Sequence, residues 1–265
     1  NMSNQFIKHK IEELRDLLNH HNYLYYVLDK PELSDSKFDE LMNHLIELEN
    51  KNPEFNSDFS PTKRVGGGLI DGFKTVQHQY PMLSLSNTYS KQDLDNFDRR
   101  IKKNLNNEEA LYICELKYDG VAISLIYKNG YLDKAVTRGN GVFGDDVTDN
   151  VKTIKSIPLK LFGNPPKILE ARGEIFIDKN QFEKINLLRQ AKKKDLEVIY
   201  QKAKAKKNLS IDDLNKIKKK FIAESKKLEL YSNPRNLASG TLKLLDSVKV
   251  AKRKLNCFIY SLSST

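Results

Sequence analysis

A lysine near the middle of the chain stands in a setting that could make it a nucleophile. Lys117 is followed by Tyr118, Asp119 and Gly120, and the preceding residues 111–117 predict a β-strand. An amine attacks phosphorus or carbonyl centres only when it is unprotonated, so a nucleophilic lysine needs cationic neighbours or burial to lower its pKa. Taken alone, this short pattern favours a solvated strand-end lysine followed by an Asp-Gly turn.

A glycine-rich segment downstream has the spacing of a dinucleotide fingerprint but not its context. Gly139, Gly141 and Gly144 spell GxGxxG after a predicted strand. That fingerprint needs a helix to begin at the glycines, so that its backbone amides face a pyrophosphate. Asp145 and Asp146 follow at once instead, and their charge would repel phosphate. We therefore predict a glycine turn at this point.

Longer segments around the lysine occur together in one order. They are CELKYDGVAISL, AVTRGNGVFGDDVTDNVKTIKSIP, EARGEIF and NPRNLASGTL, preceded by SPTKRVG, PMLSLSN and the region from His21 to Asp39. This series resembles the NAD-dependent DNA ligases, a branch of the covalent nucleotidyltransferases that also include RNA ligases and mRNA capping enzymes. The resemblance covers nearly the whole chain. Its N-terminal helical piece is typical of the NAD-dependent branch and not of the ATP-using relatives.

The resemblance implies a reaction in which Lys117 attacks the α-phosphorus of NAD. Nicotinamide mononucleotide (NMN) would leave, and AMP would stay on the lysine as a phosphoramidate. The family then passes AMP to a 5′-phosphate in nicked double-stranded DNA, where the 3′-hydroxyl displaces it. Phosphoryl transfer of this kind depends on positioning and charge neutralisation, usually with Mg²⁺.

The resemblance also implies two sets of binding residues beside the nucleophile. Those expected to hold the AMP half of NAD are Ser84, Leu85, Glu115, Asp119, Arg138 and Glu174. Those expected to hold the nicotinamide ribotide are Tyr25, Tyr26, Asp35, Phe38 and Asp39. Several of these residues have a structural alternative. Tyr25 and Tyr26 could be core residues, and Asp35 and Asp39 could favour a helix N-terminus. Arg138 could form a surface salt bridge, and Glu174 could be an ordinary strand carboxylate.

The chain departs from the family pattern at several points. Phe38 stands where tyrosine is usual, and Lys243 replaces a common arginine. The stretch from Leu187 to Leu230 is longer than usual and carries 14 Lys/Arg against 6 Asp/Glu, which accounts for +8 of the net +10. It is either a strip for nucleic-acid phosphates or a solvated helical insertion, and the insertion is favoured because lysine clusters are common on exposed helices.

The elements that must position these residues predict an α+β fold. Helical spacing and the N-cap Ser34 indicate two helices in the first fifty residues, and loop-like residues 57–87 follow, with glycines at 66–68. We expect a helix over 91–105 and strands over 121–127 and 131–137, joined through Asn129-Gly130. Further strands are expected over 168–177 and 255–262, with helices through the lysine-rich region and over 235–245.

This pattern divides the chain into a small helical subdomain for NMN recognition over residues 1–56 and a nucleotidyltransferase domain over 57–265 with mainly antiparallel sheets. The second domain is expected to be truncated at its C-terminal end, since the matched segments stop before the family's motifs IV and V. We therefore expect this stretch alone not to seal nicks.

Composition restricts the remaining possibilities. With 30% charged and 39% hydrophobic residues among 265, the chain is expected to be a globular protein rather than a disordered or fibrous one. Two cysteines without a CxxC pair exclude a disulfide framework and a four-cysteine zinc site, and we expect no protein-bound structural metal. Without a long apolar run or a signal-peptide core, we expect a cytoplasmic monomer with no membrane partner.

Two alternatives stay open on the sequence alone. One is a non-catalytic nucleotide- or DNA-binding remnant, because the later motifs are missing. The other is an ATP-dependent covalent nucleotidyltransferase, which the first fifty residues disfavour.

Overall fold

The computed structural model describes residues 2–64, 71–106, 108–205 and 210–264. The predicted glycines at 66–68 lie outside the described residues. The elements are α1 (Met2–Tyr26), α2 (Asp35–Lys51), β1 (Thr75–Gln77), α3 (Lys91–Asn104), β2 (Val121–Lys128), β3 (Tyr131–Thr137), β4 (Phe143–Asp145), α4 (Thr148–Lys152), β5 (Ile168–Phe176), α5 (Lys179–Lys204), α6 (Ile211–Lys227), α7 (Pro234–Leu242), α8 (Ser247–Ala251) and β6 (Asn256–Ser264). This content confirms the α+β class.

The N-terminal helices α1 and α2 pack as a pair with their own small core. Ile11, Leu18 and Leu45 are fully buried there. A buried ion pair reinforces the contact, since Arg15 Nη2 lies 2.6 Å from Glu49 Oε1. The predicted pair of helices is confirmed, and its apolar stripes are covered mainly by each other.

A four-stranded antiparallel sheet forms the centre of the rest of the chain, in the order β3-β2-β5-β6. The β2–β3 hairpin turns at Asn129 and Gly130, whose φ angles of 49° and 80° are those the predicted Asn-Gly turn requires. One face of the sheet is buried through Ile123 and Ile175, in the same apolar cluster as Leu237 of α7. The predicted antiparallel arrangement is confirmed.

The GxGxxG segment is a turn between β3 and β4. Gly139 has a φ of +56°, and an added Cβ would lie 1.9 Å from the carbonyl oxygen of Phe143. The side chain of Asn140 closes the turn by accepting from the N–H of Phe143 at 2.8 Å. The chain enters β4 at this point and not a helix, so the predicted glycine turn is confirmed.

The strand predicted over 111–117 is wrong. These residues belong to no strand or helix, and Leu111 and Ile113 are 96% and 90% exposed. A β-strand forms only where a neighbouring strand accepts and donates its backbone hydrogen bonds, and among the described residues none pairs with this segment. The apolar and β-branched composition of this segment therefore predicted a strand that the tertiary structure does not form.

The lysine-rich stretch forms a helical hairpin from α5 and α6. The rings of Tyr200 and Phe221 stack between the two helices at a centroid distance of 4.3 Å. At the root of the hairpin, Asn186 and Tyr231 are joined by two hydrogen bonds of 3.1 and 3.0 Å. No helix in the described part of the chain is both long and apolar enough to cross a membrane.

Candidate nucleotide site

A cavity of about 990 Å³ opens beside the sheet, large enough for a nucleotide-sized ligand. Its wall combines strand residues of β2, β5 and β6, the turn after β3, helix α7 and two extended segments over residues 81–85 and 115–118. Most of the predicted AMP-binding residues line it together with the nucleophile, namely Ser84, Leu85, Glu115, Lys117, Arg138 and Glu174.

The cavity is rich in positive charge. Arg138, Arg172, Arg235 and Lys243 line it along with Lys117. Such a group of guanidinium and ammonium side chains suits the oxygens of a pyrophosphate. Arg172 and Arg235 were missed as site residues by sequence reasoning, although both stand inside segments that carry the family resemblance.

Asp119 does not line the cavity but touches its wall. Its Oδ1 accepts a hydrogen bond of 2.9 Å from Arg235 Nη1, and both side chains are more than half exposed. The carboxylate of Asp119 therefore orients a cavity-lining arginine rather than facing the cavity itself. Its direct part in nucleotide binding stays a prediction.

Glu174 ties the turn after Lys117 to the central sheet. Its Oε1 accepts from the backbone N–H of Gly120 at 3.1 Å. Burial raises the pKa of Glu174 above its usual value, although the Gly120 hydrogen bond and the charge of Lys117 act in the opposite direction. Glu174 is thus a nearly buried acceptor aimed at the nucleophile's loop, which argues against an ordinary strand carboxylate.

Two arginines hold the extended segment over residues 80–85 against the cavity. Arg172 donates to the carbonyl oxygens of Tyr80 and Pro81 at 2.7 and 3.1 Å, and its Nε pairs with Glu170 at 2.8 Å. Arg138 donates to Ser84 Oγ at 3.1 Å. Among the described residues Arg138 forms no salt bridge, so the surface-salt-bridge alternative does not apply to it.

A stack of three aromatic rings supports the other side of the Lys117 segment. Tyr118 lies 4.0 Å from Phe258 between ring centroids, and Phe258 lies 4.6 Å from Phe176 with an interplanar angle of 4°. These rings belong to the nucleophile's own turn, β6 and β5. Stacking therefore fixes the turn that carries Lys117 although the residues before it are unpaired.

The predicted nicotinamide residues form a second, smaller pocket on the helical pair. It is lined by Tyr25, Tyr26, Asp35 and Phe38, together with His21 and its neighbours. The two tyrosines are 44% and 38% exposed, which excludes the core alternative for them. Asp39 does not line this pocket, and the two pockets share no lining residue.

Asp35 occupies the first turn of α2, so the helix-stabilising alternative for this aspartate fits the structure as well as ligand binding does.

The helical pair contacts the rest of the chain next to this pocket. Tyr26 accepts a hydrogen bond of 2.9 Å from Lys155 Nζ, and Asp16 accepts one of 2.6 Å from Lys160 Nζ.

The fit of the site to Mg²⁺ is limited. No group of three or more carboxylate, imidazole or thiolate side chains able to hold a metal ion occurs in the part of the chain that the structure describes. Magnesium commonly uses one or two protein carboxylates and the phosphates of its substrate. Binding of Mg²⁺ by one or two carboxylates together with the phosphates of a bound nucleotide is compatible with this finding.

Family models match almost the whole chain. The NAD-dependent DNA ligase adenylation domain matches residues 70–208 and 201–265, and the DNA ligase-like N-terminal NAD⁺-binding domain matches residues 4–66. The chain belongs to the NAD-dependent DNA ligase family. The cavity is accordingly part of an adenylation domain, and NAD is the co-substrate of this family.

Relatives of this ligase family agree with the match. Proteins named DNA ligase are 45% identical in Thermosipho africanus over 259 residues, 47% in Bacteroides fragilis over 257 and 42% in Bacillus cereus over 263. These matches cover 98%, 97% and 99% of this chain. The chain spans about a third of the length of these relatives, at 34%, 33% and 34%.

Proposed function

We propose that Lys117 takes AMP from NAD and that this is the first step of DNA nick sealing by the enzyme to which the chain contributes. The observation that carries the proposal is the position of Lys117 on a nucleotide-sized cavity lined by four further cations. In the reaction, the neutral Nζ attacks the α-phosphorus, a P–N bond forms, and the P–O bond to NMN breaks. The amine gives up its proton to solvent, and the bonding electrons leave with NMN.

The cavity cations would stabilise the charge on the phosphate oxygens while this exchange takes place. We propose that Glu115 and Glu174 accept hydrogen bonds from the adenine amino group and the ribose hydroxyls. Ser84, Leu85 and Arg138 would line the nucleotide, and Asp119 would act through Arg235. The proposed contacts of this segment with the nucleotide are supported by Arg138 and Arg172, which hold residues 80–85 in place.

We propose that the smaller pocket binds the nicotinamide ribotide, with Tyr25, Tyr26 and Phe38 stacking on the ring and Asp35 accepting from ribose hydroxyls. Phe38 lacks a hydroxyl, so stacking remains but one hydrogen bond is absent. The place of Asp39 outside the pocket makes it the weakest member of this set. Because one pyrophosphate joins the two halves of NAD, one molecule can fill both pockets only where they lie within its length.

We propose a division into a helical subdomain over residues 1–56 and a nucleotidyltransferase domain over 57–265. Support comes from two separate apolar clusters, one centred on Leu45 and one on the central sheet. Contacts between the two parts include the exposed ion pair of Asp16 with Lys160 and a hydrogen bond of 2.5 Å from Thr62 to the buried Glu49.

The partners proposed for the whole enzyme are nicked double-stranded DNA, NAD and Mg²⁺ bound with the nucleotide. Support comes from the relatives, which are named DNA ligases. We further propose a cytoplasmic monomer, because NAD and nicked chromosomal DNA are both available there and the proposed reaction needs one copy of each pocket.

The proposal is tested by incubating the purified chain with NAD and Mg²⁺, or with ATP and Mg²⁺, and measuring its intact mass. We expect one added AMP from NAD, no adduct from ATP, and no adduct in Lys117→Ala. Lys128→Ala, at an exposed strand-end lysine, is the control and should react normally. An adduct that persists in Lys117→Ala, or one formed from ATP alone, would refute the proposed reaction. Absence of any adduct on this chain and on a longer chain would favour the non-catalytic remnant.

A further inference from the structure

The α5–α6 hairpin carries a basic surface for which the proposed adenylation has no use. Lys216, Lys219, Lys220 and Lys226 are exposed, and their spacing places them within an arc of about 120° on α6 at 3.6 residues per turn. We call these four lysines the basic face of α6. The opposite side of the helix carries Phe221, which stacks on Tyr200 of α5.

The basic face is not neutralised by neighbouring acids. In the parts of the hairpin that the structure describes, no carboxylate lies within 4.0 Å of any of its four ammonium groups. Of the three acids of α6, Asp213 is bonded to the N-cap Ser210 and Glu224 pairs with Lys227 at 2.8 Å. The third, Asp212, is exposed one turn before Lys216 and offsets one of the four charges without forming an ion pair within 4.0 Å in the described residues. The charge of the basic face is therefore available to an external anion.

The hairpin is fixed to the adenylation domain at its root. Phe182 and Ile185 of α5 and Tyr231 after α6 pack against the central apolar cluster, and the guanidinium of Arg253 lies over the Tyr231 ring at 5.3 Å. The hairpin leaves the domain after β5 and returns just before α7, and both elements line the cavity through Glu174 and Arg235. Its lysines therefore stand on a hairpin that begins and ends next to elements of the cavity wall.

We propose that the basic face of α6 binds the phosphate backbone of duplex DNA and extends the DNA contact beyond the reaction site. A row of solvated lysines, with no carboxylates paired to them, matches the regular charges of a phosphate backbone, and each contact releases a counterion. The inference rests on the proposed function, because it assumes that DNA is brought to this cavity. The competing possibility, a merely solvated helix, makes a different prediction for salt dependence.

The test is fluorescence anisotropy of the chain with a labelled nicked DNA duplex over a range of salt concentrations. The variant replaces Lys216, Lys219, Lys220 and Lys226 by Gln. We expect the slope of log K against log salt to fall by about 0.9 for each phosphate that the variant no longer neutralises, or up to about 3–4 in total. Affinity near 0.1 M salt should fall at least about tenfold.

A matched control removes the same charge from four exposed lysines elsewhere, Lys10, Lys91, Lys103 and Lys252. We expect a much smaller change in slope for this control. The inference would be overturned if both variants lost the same slope and affinity for DNA, or if the slope of the α6 variant were unchanged. It would also be overturned if the unmodified chain showed no salt-dependent DNA binding. Adenylation from NAD, followed by intact mass, should be normal in the α6 variant, so failure of adenylation and failure of DNA binding are read separately.

Discussion

The carboxylate of Glu174 accepts a hydrogen bond from the backbone N–H of Gly120 across 3.1 Å, although the two residues are 54 positions apart. This bond joins β5 to the turn that carries Lys117. Because the residues before Lys117 are not held by a sheet, the nucleophile depends for its position on contacts of this kind and on the ring stack of Tyr118.

The close approach at Gly120 predicts that even a methyl group is too large there. A Cβ at Gly120 would lie 2.1 Å from the carbonyl oxygen of Ile175, which is backbone and cannot move aside cheaply. We expect Gly120→Ala to lower the free energy of unfolding by about 3 kcal/mol and to slow adenylation. Urea unfolding and intact-mass kinetics are the measurements.

The control is Gly240→Ala in α7, where nothing lies within 4 Å of the added Cβ. This change should stabilise the chain by up to about 1 kcal/mol, because alanine is the better helix former. Equal stability of the two variants would contradict the steric explanation.

Glu174 also predicts a pH dependence. Burial raises its pKa, so the folded chain binds this proton more tightly than the unfolded chain does. Its contribution to stability is therefore greatest below the pKa of an unfolded glutamate and is lost as pH rises through the folded pKa. We expect Glu174→Gln to gain stability relative to the unmodified chain as pH rises from about 4 to 7. Thermal unfolding of both proteins at each pH measures the difference in stability. A difference that does not vary with pH would contradict the raised pKa of Glu174.

Glu49 predicts the opposite behaviour for the helical pair. Burial alone would raise its pKa, but hydrogen bonds from Thr62, Ser60 and Arg15 outweigh burial and hold the pKa below its usual value. The stability it contributes is present above the unfolded pKa and is lost as pH falls through the folded pKa. The 3% exposed carboxylate lies 2.6 Å from Arg15, so we expect Glu49→Gln to cost about 3 kcal/mol at pH 7 and less in acid.

The matched control for that change is Glu47→Gln on the same helix, whose ion pair with Lys51 is exposed and 3.9 Å long. It should cost less than about 1 kcal/mol. Circular dichroism of urea unfolding at pH 7 and pH 4 compares both variants, and a pH-independent loss in Glu49→Gln would contradict the linkage.

Arg172 predicts a positioning effect on the nucleotide site. Its fork reaches two neighbouring carbonyl oxygens in the segment over residues 80–85, which a lysine ammonium cannot reproduce. We expect Arg172→Lys to raise the NAD concentration for half-maximal single-turnover adenylation about tenfold with a smaller change in the maximal rate, since one to two hydrogen bonds to a charged group are removed. Arg100→Ala, at an exposed position on α3, is the control. A fall in the maximal adenylation rate without a change in the half-maximal NAD concentration would show a different role.

The sequence by itself was sufficient wherever the signal is local. Ser34 and helical spacing indicated the N-terminal helices, and Asn129-Gly130 indicated the β2–β3 hairpin. These features depend on residues within one or two turns of one another, so their physical causes are contained in short stretches of chain.

Tertiary structure alone decided the features that depend on distant partners. Residues 111–117 have the composition of a strand but no neighbouring strand among the described residues. Asp39 lies on α2, as predicted, but does not line the smaller pocket. Arg172 reaches Tyr80 across 92 positions, and Glu174 reaches Gly120 across 54. Such contacts form because the sheet brings remote segments of the chain together. No local pattern of residue types predicts them.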